Sequence, residues 1–243
     1  IEYMHIETSP TINSLLKKIS TYDQAADLDI IRLTYDFAKQ AHEGQFRKSG
    51  EPYIIHPLAA AHILADMRID PVIIMATLLH DVPEDTRVTL DDIAKNFGDE
   101  IASLVSGITK LGKLKYRGVE RYLENLRKMF VAMAEDIRVM IIKFADRIHN
   151  LSTLSSLPPQ KAYRIALESL EIYAPIAGRL GMDQMKSMLE ALSFAYVFPK
   201  EYQRTIALHK EKIAGKEQYF HEIQDIATKD IESAGIPLIS LSG

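Results

Sequence analysis

An all-α helical bundle is the fold class this sequence predicts, and three observations carry the prediction. Apolar residues recur every three or four positions through nearly the whole chain, the spacing that lays one stripe along a helix. One segment, PVIIMATLLHD at 71–81, is apolar on almost every side and so belongs at the centre of a bundle rather than on its surface. Convincing two-residue alternation is absent, residues 236–241 being the one stretch that admits a strand. The chain has 243 residues, 47% of them hydrophobic, enough for a buried core.

Ser9-Pro10 reads as a cap followed by Pro at the first helical position, opening a short helix to about Ser20 within an N-terminal segment, 1–24. A second helix, 25–42, carries Ile30, Ile31, Leu33, Phe37 and Ala38, and Gly44 stops it. After a polar loop, 45–52, Pro57 starts a helix ending near Arg68. Asp70-Pro71 caps the apolar helix, and Pro83 ends it by disfavouring helical geometry at Val82. Thr89 and Asp92 form a variant capping box for a helix closed by Gly98. One more helix follows at 99–109, and the basic, Gly-punctuated stretch 110–118 reads as a loop. Helices are expected at 120–134, 136–150, 160–178, 183–197 and 200–233. Residues 25–197 are expected to form one domain, with 198–243 as a trailing helix and linker.

Twenty-nine Lys and Arg against 33 Asp and Glu give a net charge of −4. That balance argues against a nucleic-acid binder, which needs cations to neutralise phosphates. A small anion needs only a local basic cluster. No cysteine is present, which excludes disulfides, thiolate metal sites and Cys nucleophiles, and a cytoplasmic address fits. No apolar run approaches the roughly 20 residues of a membrane span. No signal peptide is expected, because IEYMHIETSP lacks a basic start and an apolar stretch.

His80-Asp81 is the sharpest local feature. It ends the most hydrophobic helix, where the macrodipole disfavours a carboxylate, so Asp81 needs a cation or several donors. A metal supplies the cation and a neutral imidazole a nitrogen ligand; a core histidine beside a capping Asp is the plain alternative. His56 precedes Pro57 at a helix start, and Asp146 sits in the apolar stretch IIKFADRIHN, four residues from Asn150 on the same face. Two imidazoles and two carboxylates make a mixed site that suits Mn, Fe, Co or Zn more than Ca. Glu84-Asp85 fall about one turn beyond His80-Asp81, on a chain released from the helix. Acids there can orient and deprotonate water beside a metal, or form a solvated turn. Arg47-Lys48-Ser49 form a cationic loop leading to His56. Such a loop grips phosphate or lies solvated on the surface.

Five blocks, HEGQFRKSGEPYIIHP (42–57), LLHDVPEDT (78–86), GITKLGK (107–113), IRVMIIKFADRIHNLSTL (137–154) and EIYAPIAGRLGM (171–182), together resemble the hydrolase half of RelA/SpoT homologues, the enzymes of the alarmone (p)ppGpp. The resemblance implies an HD-domain helical bundle acting as a metal-dependent (p)ppGpp hydrolase. It implies His56, His80, Asp81 and Asp146 as ligands of Mn2+, and Glu84 and Asp85 as the acidic pair acting on water. Arg47, Lys48 and Ser49 would line the nucleotide pocket, with Asn150 and Thr153 holding the nucleoside. The substrate would be guanosine tetra- or pentaphosphate, losing its 3′-pyrophosphate to give GDP or GTP and ending the stringent response. Some family members keep the fold but lose the HD and ED residues, and there the domain only regulates. This chain keeps them, so a working hydrolase is expected, with a catalytically quiet nucleotide-sensing domain as the alternative. Position 83 is Pro where the family usually has an apolar residue such as Val, so a rigid turn is expected there. The resemblance also implies a (p)ppGpp synthetase domain after residue 243, and ribosome contact only through C-terminal domains beyond it.

Overall fold

The computed structural model describes residues 10–112, 127, 129–131, 133–213 and 217–235. Regular structure among these residues is helical, apart from an isolated antiparallel bridge between Phe46 and Pro52. The chain divides into two compact units, the first running to Val197 and the second from Phe198.

The first unit holds α1 (Ile12–Tyr22), α2 (Leu28–Ala41), α3 (Ile55–Asp66), α4 (Pro71–Leu79), α5 (Val82–Asp85), α6 (Leu90–Phe97) and α7 (Asp99–Gly112). It continues with α8 (Arg138–Ser152), α9 (Pro159–Glu168), α10 (Ala174–Arg179) and α11 (Asp183–Val197). The second unit holds α12 (Pro199–Ile213) and α13 (Glu217–Ser233).

Side chains cap four of the described helix starts, at Thr11, Asp27, Asp70 and Thr89. At Thr89 the hydroxyl accepts from Asp92 N–H while the Asp92 carboxylate accepts from Thr89 N–H, which closes two otherwise orphan donors. Gly98, at φ 89°, ends α6 in the left-handed region that favours glycine. The first helix starts later than Ser9-Pro10 suggests. Thr11 is its cap, in a reciprocal pair with the Ser14 hydroxyl. The start at Pro57 also moves, to Ile55, so that His56 is already helical.

Pro83 does not terminate the apolar helix. That helix stops at Leu79, and Pro83 lies inside the first turn of α5, where its missing N–H has no intrahelical partner to lose. The helix expected over 160–178 is helical throughout but carries a π-helical turn at Ser169–Tyr173. Pro175, two residues beyond it, lacks a donor and interrupts the regular ladder. Of the loop expected at 110–118, residues 110–112 are helical because α7 continues through Gly112, and 113–118 lie outside the described residues. Of 120–134, the described residues are helical. Residues 214–216 and 236–241 lie outside the described residues.

The core is built on α3, α4 and α8. Every residue of α3 from His56 to Ala65 is buried, as is every residue of α4 from Ile73 to Leu79. Helix α3 packs against both α4 and α8, α4 against α7, and α8 against α7 and α11. The amphipathic helices α1, α2 and α6 cover α3, α4 and α7 with Leu15, Ile19, Ile31 and Ile93.

The α7–α8 crossing depends on Gly107. A Cβ there would lie 2.7 Å from Val139 Cγ2, and a β-branched side chain in a helix has almost one rotamer. Overpacking costs about 1–3 kcal/mol, more than the roughly 1 kcal/mol that Ala gains over Gly in a helix. Gly107→Ala is therefore expected to lower the urea midpoint, and Val139→Ala in the same background to relieve part of the loss. Equal or higher stability of the single variant would show that the two helices separate freely.

Candidate metal centre

Three central helices converge their polar residues at one end. His56 is the second residue of α3, His80 caps the C-terminus of α4, Asp81 caps the N-terminus of α5, and Asp146 lies in the middle of α8. All but Asp81 are buried. His56, His80 and Asp146 each offer a ligand atom within 4.8 Å of the others. His56 Nε2 is 3.1 Å from Asp146 Oδ1 and 3.6 Å from Asp81 Oδ2. His80 Nε2 is 3.2 Å from Asp81 Oδ1 and 3.9 Å from Asp146 Oδ1. Bonds of about 2.0–2.2 Å to a shared ion would leave neighbouring ligand atoms at about this spacing.

His80 tests whether a cation fits. Its Nδ1–H donates to the Thr77 carbonyl at 2.7 Å, so Nε2 carries the lone pair. That buried nitrogen makes no hydrogen bond among the described residues, and its neighbours are the two carboxylates. A lone pair facing two anions is repulsive unless a cation lies between them. The donor set therefore fits a divalent metal.

Electrostatics keep the carboxylates ionised. Burial pushes the Asp146 carboxyl up, but Lys143 Nζ at 2.8 Å and the His56 imidazole hold it well below the usual range. Asp81 likewise resists burial through His80 and His56. Burial drives the His56 imidazole down despite both carboxylates. Lys143 stays charged against burial because Asp146 faces it.

The acidic pair stands on α5, a helical turn and not a released chain. Glu84 and Asp85 N–H groups both donate to the Asp81 carbonyl, at 3.1 and 3.0 Å. The Asp85 carboxylate is held by the Tyr53 hydroxyl at 2.6 Å, and the same hydroxyl reaches Asp81 Oδ2 at 2.9 Å. Glu84 holds no side-chain hydrogen bond among the described residues. Desolvation, then the Asp81 charge, raise its carboxyl above the usual range.

The loop between α2 and α3 carries the cations. Gly50 N–H donates to the Arg47 carbonyl and Arg47 N–H to the Glu51 carbonyl, both at 2.9 Å. This tight turn requires φ 87° at Gly50. Gln45 fastens the loop to α5 by donating to the Asp85 carbonyl at 2.8 Å. Arg47 points inward: Nη2 donates to Asn150 Oδ1 at 2.6 Å and Nη1 to His149 Nδ1 at 3.1 Å. Asn150 in turn donates to Asp146 Oδ1 at 2.6 Å. Beside them opens a cavity of about 300 Å³ lined by Arg47, Lys48, Ser49, Arg147 and Lys161. Asn150 and Thr153 also line it, the Thr153 hydroxyl turned back to the His149 and Asn150 carbonyls at 3.3 Å. Ser49 donates to Glu51 at 3.3 Å. Arg147 is half-buried. Its guanidinium stacks 4.1 Å over the Tyr173 ring and pairs with Glu168 at 3.5 Å.

Two residues beyond those read from the sequence belong to this cluster. Tyr53 bridges Asp81 and Asp85, and His149 Nδ1 lies 2.7 Å from His56 Nδ1. Burial, then His56 and Arg47, push the His149 imidazole down to about 3. Its place three residues after Asp146 puts it on the same helix face, which is the sequence signal for it.

Comparison with known proteins agrees on the family. A model described as "HD domain" matches residues 34–183. The bifunctional (p)ppGpp synthase/hydrolase SpoT of Escherichia coli (strain K12) is 46% identical over 225 residues, which is 92% of this chain and 32% of that protein. A GTP pyrophosphokinase of Myxococcus xanthus is 43% identical over 222 residues, 90% of this chain and 29% of its own length. The chain thus spans about a third of the length of these curated relatives. A solved structure titled "A metazoan ortholog of SpoT hydrolyzes ppGpp and plays a role in starvation responses" superposes with a TM-score of 0.55 and 24% identity. It covers 67% of this chain and 93% of its own, a likeness of fold.

Proposed function

This chain belongs to the HD-domain family, and from that membership we propose that it hydrolyses the 3′-pyrophosphate of (p)ppGpp with Mn2+ held by His56, His80, Asp81 and Asp146. The observation that carries the reading is the buried, unpaired Nε2 of His80 facing two carboxylates, beside a cavity lined with cations. No helix among the described residues is long and apolar enough to cross a membrane, and a cytoplasmic site of action is part of the proposal.

Water adds to the phosphorus on the 3′ oxygen, and the bond between them breaks. Pyrophosphate leaves with the water's oxygen, and the 3′ oxygen gains a proton to leave GDP or GTP. Glu84 takes the proton from water, since it is the carboxylate of the pair left open. Asp85, tied to Tyr53 and through its carbonyl to Gln45, holds the turn in place. Arg47, Lys48 and Lys161 balance the charge of the pyrophosphoryl group transferred to water, and Asn150 and Thr153 border the nucleoside side. A divalent ion here supplies Lewis-acid polarisation of phosphate and acidifies water.

Incubation with ppGpp and Mn2+, followed by separation of products, tests the proposal. GDP and pyrophosphate are expected in equal amounts. Tight ppGpp binding with no turnover would instead assign the domain to nucleotide sensing.

Arg47→Ala is expected to raise KM more than it lowers kcat, because the guanidinium at the cavity wall acts before as well as during the chemical step. Arg47→Lys should rescue only in part, since an ammonium lacks the planar fork that serves Asn150 and His149 together. Unchanged KM in both variants would mean that the nucleotide enters elsewhere.

A further inference from the structure

Resting on the metal-centre reading above, we propose that His149 is a positioning residue: its Nδ1 accepts a proton-bearing contact from His56 Nδ1 and so turns the Nε2 lone pair of His56 toward the ion. Hydrogen-bond polarity carries the assignment. A guanidinium has five donors and no acceptor. Arg47 Nη1 lies 3.1 Å from His149 Nδ1, so that nitrogen is an acceptor and bears no proton. The same nitrogen lies 2.7 Å from His56 Nδ1, which must then be the donor. A neutral imidazole protonated on Nδ1 has its lone pair on Nε2. Nε2 of His56 is the atom that faces Asp146 at 3.1 Å and Asp81 at 3.6 Å.

The two imidazoles of the centre thus reach one state by different devices. His80 is fixed by the Thr77 main-chain carbonyl, a partner that no side-chain change at Thr77 removes. His56 is fixed by a side chain, buried on α8 and one turn beyond Asp146. Arg47 is itself held by its second nitrogen on Asn150, so the donor that defines His149 as an acceptor stays in place. Partners of this kind, bonded to the far nitrogen of a ligating histidine, fix its tautomer and ring orientation.

The test uses the metal-free protein and Mn2+ alone, with free Mn2+ followed by electron paramagnetic resonance. Two-bond ¹H–¹⁵N spectra of the metal-free protein report the tautomer of His56. Wild type is expected to show His56 protonated at Nδ1. His149→Phe is expected to weaken Mn2+ binding by roughly 10- to 100-fold, the usual effect of losing such a partner, and to move His56 toward the other tautomer. His149→Asn, whose carbonyl oxygen can stand in for Nδ1 as an acceptor, should recover most of the affinity. Wild-type spectra with His56 protonated at Nε2 would overturn the inference even if His149→Phe failed to fold. So would a His149→Asn variant that binds as weakly as His149→Phe, or a folded His149→Phe with wild-type affinity. Those results leave the centre standing, whereas a wild-type chain that takes up no Mn2+ removes the centre and the inference together.

Discussion

Asp81→Ala should abolish hydrolysis and stoichiometric metal retention together. Two carboxylates face the imidazole nitrogens of His56 and His80, and they are not equivalent. Asp146 already neutralises Lys143 at 2.8 Å and accepts from Asn150 at 2.6 Å. Asp81 has a neutral partner, the Tyr53 hydroxyl at 2.9 Å, so more of its charge is left for an ion. Its removal leaves two neutral nitrogens and one carboxylate shared with an ammonium. The loss of affinity should exceed the roughly 100-fold upper range seen for outer-shell partners. Metal content by mass spectrometry after gel filtration, with turnover on ppGpp, measures both effects. Asp81→Asn keeps the shape and the Tyr53 contact, and its expected failure would assign the effect to charge. Full activity with one ion still bound in Asp81→Ala would remove Asp81 from the centre.

Glu84→Gln should keep the metal and lose turnover by about 10²–10⁴-fold, the usual contribution of a general base. Gln fills the same space but takes no proton. The two acids of α5 are adjacent in sequence but differ in surroundings. Asp85 is engaged by Tyr53 at 2.6 Å, whereas desolvation and the Asp81 charge raise the Glu84 carboxyl, a shift that makes it a stronger proton acceptor near neutral pH. Asp85→Asn should therefore act more through the placement of α5 than through proton transfer, and single-turnover rates at saturating Mn2+ separate the two. A fall of less than about threefold in Glu84→Gln, far below that range, would make Glu84 a bystander.

Local rules made the helices legible. The Thr89–Asp92 box, the Asp70-Pro71 start and the Gly98 stop each involve residues within a few positions of one another, and each recurs in the structure. Pro83 was harder to read because the same residue breaks a helix interior and suits a first turn, and only the end of α4 at Leu79 decides between them. The cluster lies further out of reach. His56, His80 and Asp146 are separated by 24 and 66 residues, and composition and periodicity carry no signal at that range. The family resemblance supplied it. Tyr53 and His149 sit inside blocks that carry the resemblance, yet their roles depend on ring orientation and on which nitrogen holds a proton. Those are properties of three-dimensional neighbours, such as Arg47 beside His149.

The cluster's donors and the loop's cations are anchored at very different depths. His56, His80 and Asp146 lie buried among the core helices, while Lys48 and Ser49 ride on an exposed turn, the kind of segment that opens locally at lower free energy than a packed core. Partial opening, nicking or a partner's grip would thus reach the loop first. Displacing Lys48 and Ser49 would strip two polar groups from the cavity wall while the buried donors His56, His80 and Asp146 kept their places in the core.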